Sequence, residues 1–381
     1  MYIIDDEIKN LVLQIEAPAV GAAVDKLLGE LVRKLQAACS RPAVAQRYAD
    51  YRAGIGLPPP GLKVMPLNEA GFLRSFDPLT EEAQFVAAWH EYGIVASKAV
   101  VAPALCEAVI DRIGSITREL SGGLCDLNDP STWSKIPVDG EGVSVLSRGF
   151  FEVYHDQVLA ALRQAVRVYL HHVLIWGRAD LWTTFDRLGV KLPGHEESAA
   201  LPLHVDQNPN VHAQFRTVQG VLALRDCPVE RGTFVGVPGS RMHFAAYGAM
   251  AKNQGEYVEL ERSHELFAAL TAAAQACPLA QGDLISWDSR TTHANSANLS
   301  ALTRYVAYIS AAPANAADAA AVQARAEALR TGVGKNVRNA LMHASKPPRY
   351  TNPELLSATR QAEKLTYLGS LLYGQESYEN V

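Results

Sequence analysis

Apolar residues recur at helical spacing through the first 60 residues of the chain. One stripe of a helix would carry the apolar residues Val20, Val24, Leu27, Leu28, Leu31 and Leu35. The proline-rich run 57–61 interrupts this pattern, because proline lacks the N–H that a helix or a central strand needs. The pattern predicts a helical extension over residues 1–60 that packs on a main domain covering residues 61–381.

The chain changes character near residue 181, where short apolar runs are separated by Gly, Pro and Asn. These runs predict strands at residues 181–191, 201–206, 217–224, 233–237, 283–287 and 304–310. Helices are expected before the strands, in an insert at residues 244–280, and from Asn315 to the C-terminus. Many short strands without alternating helices are typical of a sandwich, a jelly roll or a barrel. We therefore expect a mainly β fold braced by helices.

Composition and charge limit the classes of partner and the cellular location that we expect for the protein. Of its 381 residues, 48% are hydrophobic and 20% charged, and the formal net charge is -5. Nucleic acid is not an expected partner, because a dedicated nucleic-acid binder is strongly basic. The chain has no run of 18 strongly apolar residues, so no membrane span is expected. The acidic N-terminus and five cysteines without a CxxC pair favour a reduced, cytoplasmic protein.

The sequence His204-Val205-Asp206 is the first candidate for chemistry. On a strand, residues two apart project from the same face, so His204 and Asp206 point the same way. One imidazole and one carboxylate on one face can share a metal ion. Alone the triplet is weak evidence, because a chain with 11 histidines contains such a triplet easily by chance.

A second segment supplies the groups that the triplet lacks. His293 lies just past the predicted buried strand 283–287, and Arg304 opens an apolar strand eleven residues later. Two histidines and one carboxylate on one face form the facial triad of non-haem Fe(II) oxygenases. A buried arginine needs an anionic partner, and its planar fork suits a carboxylate. His212 is the rival third ligand, but it falls in a predicted loop with no arginine at suitable spacing.

With these residues the chain resembles the Fe(II)/2-oxoglutarate-dependent oxygenases, specifically the phytanoyl-CoA dioxygenase-like family. The resemblance runs from about Phe85 to Tyr373. It rests on His204-Val205-Asp206, Val218-Gln219-Gly220, Val235-Gly236-Val237-Pro238-Gly239-Ser240-Arg241, Gly282-Asp283…His293…Arg304 and Leu365-Thr366-Tyr367-Leu368-Gly369. It implies a double-stranded β-helix, which is a jelly-roll, cupin-like core, braced by N- and C-terminal helices.

The resemblance also implies the cofactors and the residues that hold them. Fe(II) would be held by His204, Asp206 and His293, with 2-oxoglutarate and O₂ as cosubstrates. Arg304 matches the arginine that pairs with the distal carboxylate of 2-oxoglutarate. Asn295 stands where family members often carry serine, so we expect it beside the cosubstrate with altered hydrogen bonding.

Further polar residues are candidates for contacts around this centre. Gln219 is expected to orient the cosubstrate or a metal ligand, with a structural hydrogen bond as the alternative. Thr184 and Asp186 share one face of the predicted strand 181–191, and Lys191 lies on the other face if that strand is regular. Thr184 is assigned to the cosubstrate, and Asp186 and Lys191 to the substrate. Arg290 is a further candidate contact for an anionic substrate.

The leading hypothesis is an Fe(II)/2-oxoglutarate-dependent dioxygenase that hydroxylates or otherwise oxidises an unactivated C–H of a small-molecule metabolite. Asp206 favours this outcome over halogenation, because related halogenases lack the carboxylate at the matching position. A tailoring step in natural-product biosynthesis is the expected setting. The alternatives are a cupin-like metal-dependent isomerase, a small-molecule binding protein, or an interaction protein on a degenerate oxygenase fold. A homo-oligomer is left open.

Overall fold

The computed structural model of the chain describes residues 2–17, 23–53, 55, 61–151, 153–195, 198–252, 255–332 and 360–381. Val20 of the predicted helical stripe and residues 57–60 of the predicted proline-rich connector lie outside the described residues. The same holds for residues 333–359 of the predicted C-terminal helical region.

Helices occupy both ends of the chain and the stretch before the main strands. They are α1 (Asp6–Ile15), α2 (Val24–Cys39), α3 (Pro42–Arg52), α4 (Glu82–Tyr92), α5 (Pro103–Leu120), α6 (Gln157–Arg163), α7 (Val166–Trp176), α8 (Phe267–Ala272), α9 (Ala319–Thr331) and α10 (Tyr367–Tyr373). Proline begins α3 and α5, where its missing N–H costs no helical hydrogen bond. Gly93 and Gly177 end α4 and α7 in the left-handed conformation.

The strands are short, as the sequence pattern predicts. They are β1 (Ile94–Ser97), β2 (Phe150–Phe151), β3 (Leu181–Thr183), β4 (Leu188–Lys191), β5 (Leu201–Val205), β6 (Val218–Ala223), β7 (Phe234–Gly236), β8 (Val258–Glu259), β9 (Gln275–Cys277), β10 (Leu284–Asp288), β11 (His293–Asn295), β12 (Arg304–Tyr308) and β13 (Ala311–Pro313).

Two antiparallel sheets form the centre of the protein. The larger has the order β1-β10-β6-β12-β4-β2, the smaller has the order β8-β5-β11-β7-β9, and β13 pairs with β3 separately. The sheets face each other without closing into a barrel, and helices cover the outer face of the larger one. The predicted jelly-roll core with bracing helices is confirmed, in a fold that mixes helices and sheets.

Side-chain alternation on β12 shows which residues point into the space between the sheets. Val306 packs with Val221 of β6 and with Phe234 of the smaller sheet. Tyr305 and Ala307 instead belong to the cluster that packs the larger sheet against α5 and α6. Because alternate residues share a face, Arg304, Val306 and Tyr308 all project toward the smaller sheet.

The single long strand predicted at residues 181–191 is wrong. The segment contains β3 and β4, which belong to different sheets and are separated by residues 184–187. The backbone N–H of Thr184 bonds the carbonyl of Ser310, and Phe185 turns into the helical core. Strand-like composition alone could not reveal this change of partner, because β propensity does not specify which strand is paired.

The insert predicted as helical at residues 244–280 is only partly helical. It holds most of a 3₁₀ segment, Ser240–Ala249, and the six-residue helix α8. It also supplies β8 and β9, which pair with β5 and β7 at the two edges of the smaller sheet. The alanine-rich composition favours a helix locally. Residues of β8 and β9 nevertheless form strands, because they pair with the edges of the smaller sheet.

The N-terminal helices share their core with the rest of the protein. The N–H groups of Ile3 and Ile4 each donate to the buried carboxylate of Glu82 at 2.8 Å. The hydroxyl of Tyr48 on α3 donates to the carbonyl of Leu174 on α7. These contacts pack the N-terminal segment against the rest of the protein, and the division into an extension of residues 1–60 and a main domain of residues 61–381 stays a prediction.

Among the described residues, no single helix is long and apolar enough to cross a membrane. One pair bent by 49°, Gln157–Arg163 with Val166–Trp176, passes a test of length and composition only when both helices are counted together.

The end of α7 provides a test of how tightly the N-terminal helices are docked. Gly177 has a φ of 63°, and a Cβ there would lie 2.2 Å from the ring of Tyr48. Gly177→Ala should lower the free energy of unfolding by about 2–5 kcal/mol, from left-handed strain plus overpacking. Chemical denaturation measures the change.

Gly194 is the matched control, because its φ is 62° and a Cβ there would meet nothing within 4 Å. Gly194→Ala should cost only the backbone strain, about 1–2 kcal/mol. In a Tyr48→Ala background the excess cost at Gly177 should vanish. Equal losses for the two alanine variants in the wild-type background would contradict the docking argument.

Candidate metal centre

His204, Asp206 and His293 lie together between the two sheets. His204 is on β5 and pairs directly with His293 on β11, and Asp206 follows the end of β5. The Nε2 atoms of His204 and His293 lie 3.7 and 3.5 Å from Oδ2 of Asp206. Atoms bound to one ion at about 2.1 Å stand roughly 3 Å apart at a right angle. Shifts of a few tenths of an ångström would therefore let these three atoms hold one metal ion.

Backbone carbonyls fix which nitrogen of each imidazole faces the centre. Nδ1 of His204 lies 2.7 Å from the carbonyl oxygen of Pro202, and Nδ1 of His293 lies 2.9 Å from that of Thr291. A carbonyl oxygen only accepts, so each Nδ1 carries the proton in the neutral ring. Each Nε2 then presents a lone pair beside Asp206, which is the arrangement a metal ligand requires.

The two imidazoles share one carboxylate, and their pKa values move in opposite directions. Burial lowers the pKa of His204 and the charge of Asp206 raises it, with a net upward shift. For His293, burial and the neighbouring His204 outweigh the same carboxylate, and the pKa is lowered. A second proton is disfavoured, so at least one ring stays neutral and available for a metal.

A short chain of hydrogen bonds holds the carboxylate in place. Trp287 Nε1 donates to Oε1 of Gln219 at 2.9 Å, and Nε2 of Gln219 donates to Oδ2 of Asp206 at 2.8 Å. Because the tryptophan can only donate, it fixes the orientation of the amide. Of the two roles predicted for Gln219, the contact supports orienting a metal ligand.

Arg304 is a buried cation on the inner face of the larger sheet. It is 2% exposed, and its Nε and Nη1 have no hydrogen-bond partner among the described residues. A buried guanidinium without an anion is costly, so the position calls for an anionic ligand. The fork geometry suits one carboxylate of a small dicarboxylate.

Lys191 lies directly opposite Arg304 in the β4–β12 pairing. Its ammonium donates to the carbonyl oxygens of Ala199 and Ser296, both at 2.8 Å, and to Oδ1 of Asn295 at 2.6 Å. Burial and the charge of Arg304 lower the pKa of this lysine to about 7. The predicted substrate contact of Lys191 is not supported, because an ammonium has three donors and all are used within the protein.

Asn295 is oriented by this lysine. Its Oδ1 accepts from Lys191 Nζ and, at 3.3 Å, from the backbone N–H of Leu201. With the oxygen occupied on that side, the amide NH₂ is directed away from Lys191 as a donor. The amide can therefore supply a hydrogen bond of the kind that a serine hydroxyl would supply at this position.

Other predicted site residues have different surroundings. The hydroxyl of Thr184 donates to the carbonyl of Ser310, and the Asp186 carboxylate accepts from the N–H of Arg187. Neither residue is part of the His–Asp–His cluster. For Thr184 this follows from the break between β3 and β4, which removes the face that a regular strand would have given it.

Arg290 and His212 are also engaged elsewhere. Arg290 donates to both carboxylate oxygens of Asp288 at 2.9 and 2.6 Å, so its predicted substrate contact is not supported. Burial raises the pKa of Asp288, but the charge and hydrogen bonds of Arg290 lower it, and the net shift is downward. His212 lies 3.4 Å from Glu256 at the surface, which excludes it from the metal cluster in this structure.

Tyr257 is a neighbour of the centre that the sequence analysis missed. It immediately precedes β8, and its ring lies 4.6 Å from the ring of His204, between centroids. Burial and the nearby Glu259 raise its pKa to about 12, so the phenol stays protonated at neutral pH. The sequence did not indicate this position, because β8 is only two residues long and lies in a segment predicted to be helical.

Comparisons with known proteins show the family and the fold of this chain. The sequence model of the family described as "Phytanoyl-CoA dioxygenase (PhyH)" matches residues 89–306. Ava biosynthesis cluster protein O of Aspergillus versicolor is 24% identical over 219 residues, which cover 54% of this chain and 69% of that protein.

Solved structures with a similar fold include the "Putative Oxidoreductase" from Salmonella typhimurium LT2. It has a TM-score of 0.55 and 14% sequence identity, with 96% of each chain covered. AviO1 from Streptomyces viridochromogenes Tue57 has a TM-score of 0.40 and 22% identity, covering 61% of this chain and 96% of its own. The first of these supports the fold over nearly the whole chain.

Removing the amide that holds Asp206 should weaken metal binding. We expect Gln219→Leu to reduce Co(II) affinity about 10–100-fold, because the carboxylate loses its orienting donor. Anaerobic titration followed by Co(II) absorbance measures this affinity. Gln281→Leu is the matched control, since Gln281 Nε2 donates at 2.9 Å to a different carboxylate, that of Glu107. Equal affinities for the two variants would refute the role of Gln219.

Proposed function

This chain belongs to the phytanoyl-CoA dioxygenase family of Fe(II)- and 2-oxoglutarate-dependent oxygenases, and from that premise we propose that it hydroxylates an unactivated C–H bond of a small-molecule metabolite. The balanced reaction converts R–H, 2-oxoglutarate and O₂ into R–OH, succinate and CO₂. The observation that carries the proposal is the buried guanidinium of Arg304 on the inner face of the larger sheet, whose Nε and Nη1 have no hydrogen-bond partner among the described residues.

Three residues would hold the iron and two would hold the cosubstrate. His204, Asp206 and His293 present two nitrogens and one oxygen within 4.8 Å of one another. Arg304 would pair with the distal carboxylate of 2-oxoglutarate, and the amide of Asn295 would donate to the same carboxylate. When bound, Fe(II) activates O₂ with electrons supplied by the oxidative decarboxylation of 2-oxoglutarate.

The remaining contribution of the protein is orientation and exclusion of water. Gln219 and Trp287 hold the Asp206 carboxylate, and two carbonyls hold the imidazoles, so the ligand atoms are preorganised. The ring centroids of Trp287 and Phe234 lie 5.0 and 6.0 Å from that of His293. Both rings are buried, so they shield His293 from solvent.

Hydroxylation is the outcome that we assign, with other oxidations of the same C–H as variants of it. The family resemblance associates halogenation with loss of the carboxylate, and Asp206 is present. The name of the Aspergillus versicolor relative refers to a biosynthesis cluster, which favours a tailoring step in natural-product biosynthesis. All five cysteines are free and buried, which agrees with a reduced, cytoplasmic setting.

The second candidate is a cupin-like metal isomerase or a binding protein without redox chemistry. Such a protein needs the metal ligands but has no need of a buried cation for a dicarboxylate. Arg304 costs stability unless an anion meets it, so its position favours the oxygenase.

Substrate-independent turnover of 2-oxoglutarate tests the reaction class. With Fe(II), O₂ and ascorbate, the purified protein should convert 2-oxoglutarate into succinate at a slow, measurable rate. Asp206→Ala should lower the rate at least about 100-fold, since two neutral imidazoles alone hold Fe(II) poorly. Asp129→Ala, which alters an exposed helix cap, is the control. Iron binding without any succinate, alone or with candidate substrates, would favour the second candidate.

The role of Arg304 can be separated from that of the metal ligands. Arg304→Gln should weaken 2-oxoglutarate binding about 10–150-fold, the loss of about 1.5–3 kcal/mol expected for charge-assisted hydrogen bonds. Isothermal titration of the Mn(II)-loaded protein with 2-oxoglutarate gives the affinity. Arg225→Gln is the control, because Arg225 pairs with the exposed Glu107 instead. If Arg304→Gln bound 2-oxoglutarate as tightly as the wild-type protein, the assignment of Arg304 to the cosubstrate would be refuted.

A further inference from the structure

One row of side chains crosses the larger sheet and faces the metal centre. Phe150 on β2 pairs with Gly189 on β4, and Gly189 pairs with Val306 on β12. Val306 lies in the core between the sheets, so all three positions share that inner face. Tyr308 is two residues farther along β12 and projects the same way.

The rings of Phe150 and Tyr308 form an aromatic pair at the open edge of the larger sheet. Their centroids are 5.4 Å apart with the planes tilted by 48°, and both residues are half-buried. Gly189 makes room for this pair, because a Cβ there would lie 2.6 Å from Val306 and 3.1 Å from the ring of Tyr308. The bare glycine lets the phenol ring lie close to the sheet.

This aromatic pair is near the metal ligands by strand register. Tyr308 pairs with Val221 on β6, and Gln219, two residues away on the same face, donates to Asp206. On the opposite sheet, the Tyr257 ring flanks His204 and is 39% exposed. Tyr308 therefore lies near the residue that holds Asp206, and Tyr257 flanks His204 from the opposite sheet.

A cation already covers the Phe150 ring. The guanidinium carbon of Arg187 lies 3.9 Å from the centroid of that ring, within the range of a cation–π contact. Nη1 of the same arginine lies 3.5 Å from the hydroxyl of Tyr154, and its Nε lies 3.9 Å from the Asp186 carboxylate. Arg187 already occupies a cation–π position on Phe150, so a substrate cation cannot use that position, while flat apolar groups can still stack on the remaining aromatic surface.

We propose that Phe150, Tyr308 and Tyr257 form the substrate-recognition surface, and that the substrate is a small molecule with a flat ring system and no positive charge. The proposal rests on the proposed function, since it places the substrate beside the iron and 2-oxoglutarate. It separates such a substrate from a flexible acyl chain, which has no ring to stack, and from an ammonium compound, whose cation–π position on Phe150 is taken by Arg187. Phe150 and Tyr308 then determine specificity, while the metal ligands determine chemistry.

Equilibrium dialysis of the Mn(II)- and 2-oxoglutarate-loaded protein tests this substrate class without turnover. The three probes are 1-naphthalenemethanol, its cationic counterpart 1-naphthylmethylammonium, and 1-octanol. We expect the naphthalene alcohol to bind at least tenfold more tightly than either of the other two. Equal or tighter binding of octanol or of the ammonium compound would overturn the proposal.

Variants locate the binding surface. Tyr308→Leu should weaken binding of 1-naphthalenemethanol at least tenfold, and Tyr305→Leu should change it less than twofold. Tyr305 is on the same strand as Tyr308 but faces the helices. The two substitutions are therefore on opposite faces of the larger sheet. If Tyr308→Leu no longer binds Mn(II), Phe150→Leu on the edge strand provides the same comparison. Unchanged probe binding in an intact variant of either residue would refute the aromatic surface.

Failure of this inference is distinguishable from failure of the proposed function. Mn(II) and 2-oxoglutarate affinities are measured on the same protein before any probe is added. If these two ligands do not bind, the proposed function is wrong. If they bind and the probes do not discriminate, only the assignment of substrate class is wrong.

Discussion

The direct pairing of His204 with His293 is the constraint on which the rest of the site depends. The two histidines face each other across β5 and β11, and Asp206 shares the face of His204. A one-residue slip between these strands would send one imidazole to the opposite face of the sheet. The hydrophobic pattern prevents that slip, because Val205 must enter the cluster on the outer face with Val237 and Tyr247. The register of the core therefore also fixes the geometry of the metal ligands.

Charge balance links the metal ligands to Arg304. Two neutral imidazoles and one carboxylate leave a divalent ion with one net positive charge, and Arg304 adds another. A dianionic cosubstrate would neutralise both, which explains why the guanidinium is buried although no carboxylate among the described residues pairs with it. Lys191 would add a third charge beside Arg304, but burial and that arginine lower its pKa to about 7. Lys191 therefore donates its hydrogen bonds to backbone carbonyls and to Asn295, and it need not carry a full charge at neutral pH.

The sequence was sufficient for features that depend on local periodicity. The common face of His204 and Asp206 follows from strand alternation, and the burial of Arg304 follows from the apolar strand that it begins. The sequence could not predict features that depend on which strands pair with each other. Residues 181–191 have the composition of one strand, yet β3 and β4 join different sheets. Lys191 meets Asn295 and Ser296 only because β4 lies beside β12, and nothing in the order of residues specifies those contacts.

Two of the three residues proposed for substrate recognition lie at edge strands, whereas the metal ligands lie at central strands. The metal ligands and Arg304 belong to or adjoin strands paired on both sides, where a shift would disturb two neighbours. Phe150 is on β2 and Tyr257 adjoins β8, and each of these two-residue strands is at one edge of its sheet. Tyr308 is on the central strand β12. An edge strand this short has one partner and a small share of the core. A substitution at either edge would therefore alter the proposed substrate surface without disturbing the register that positions the metal ligands.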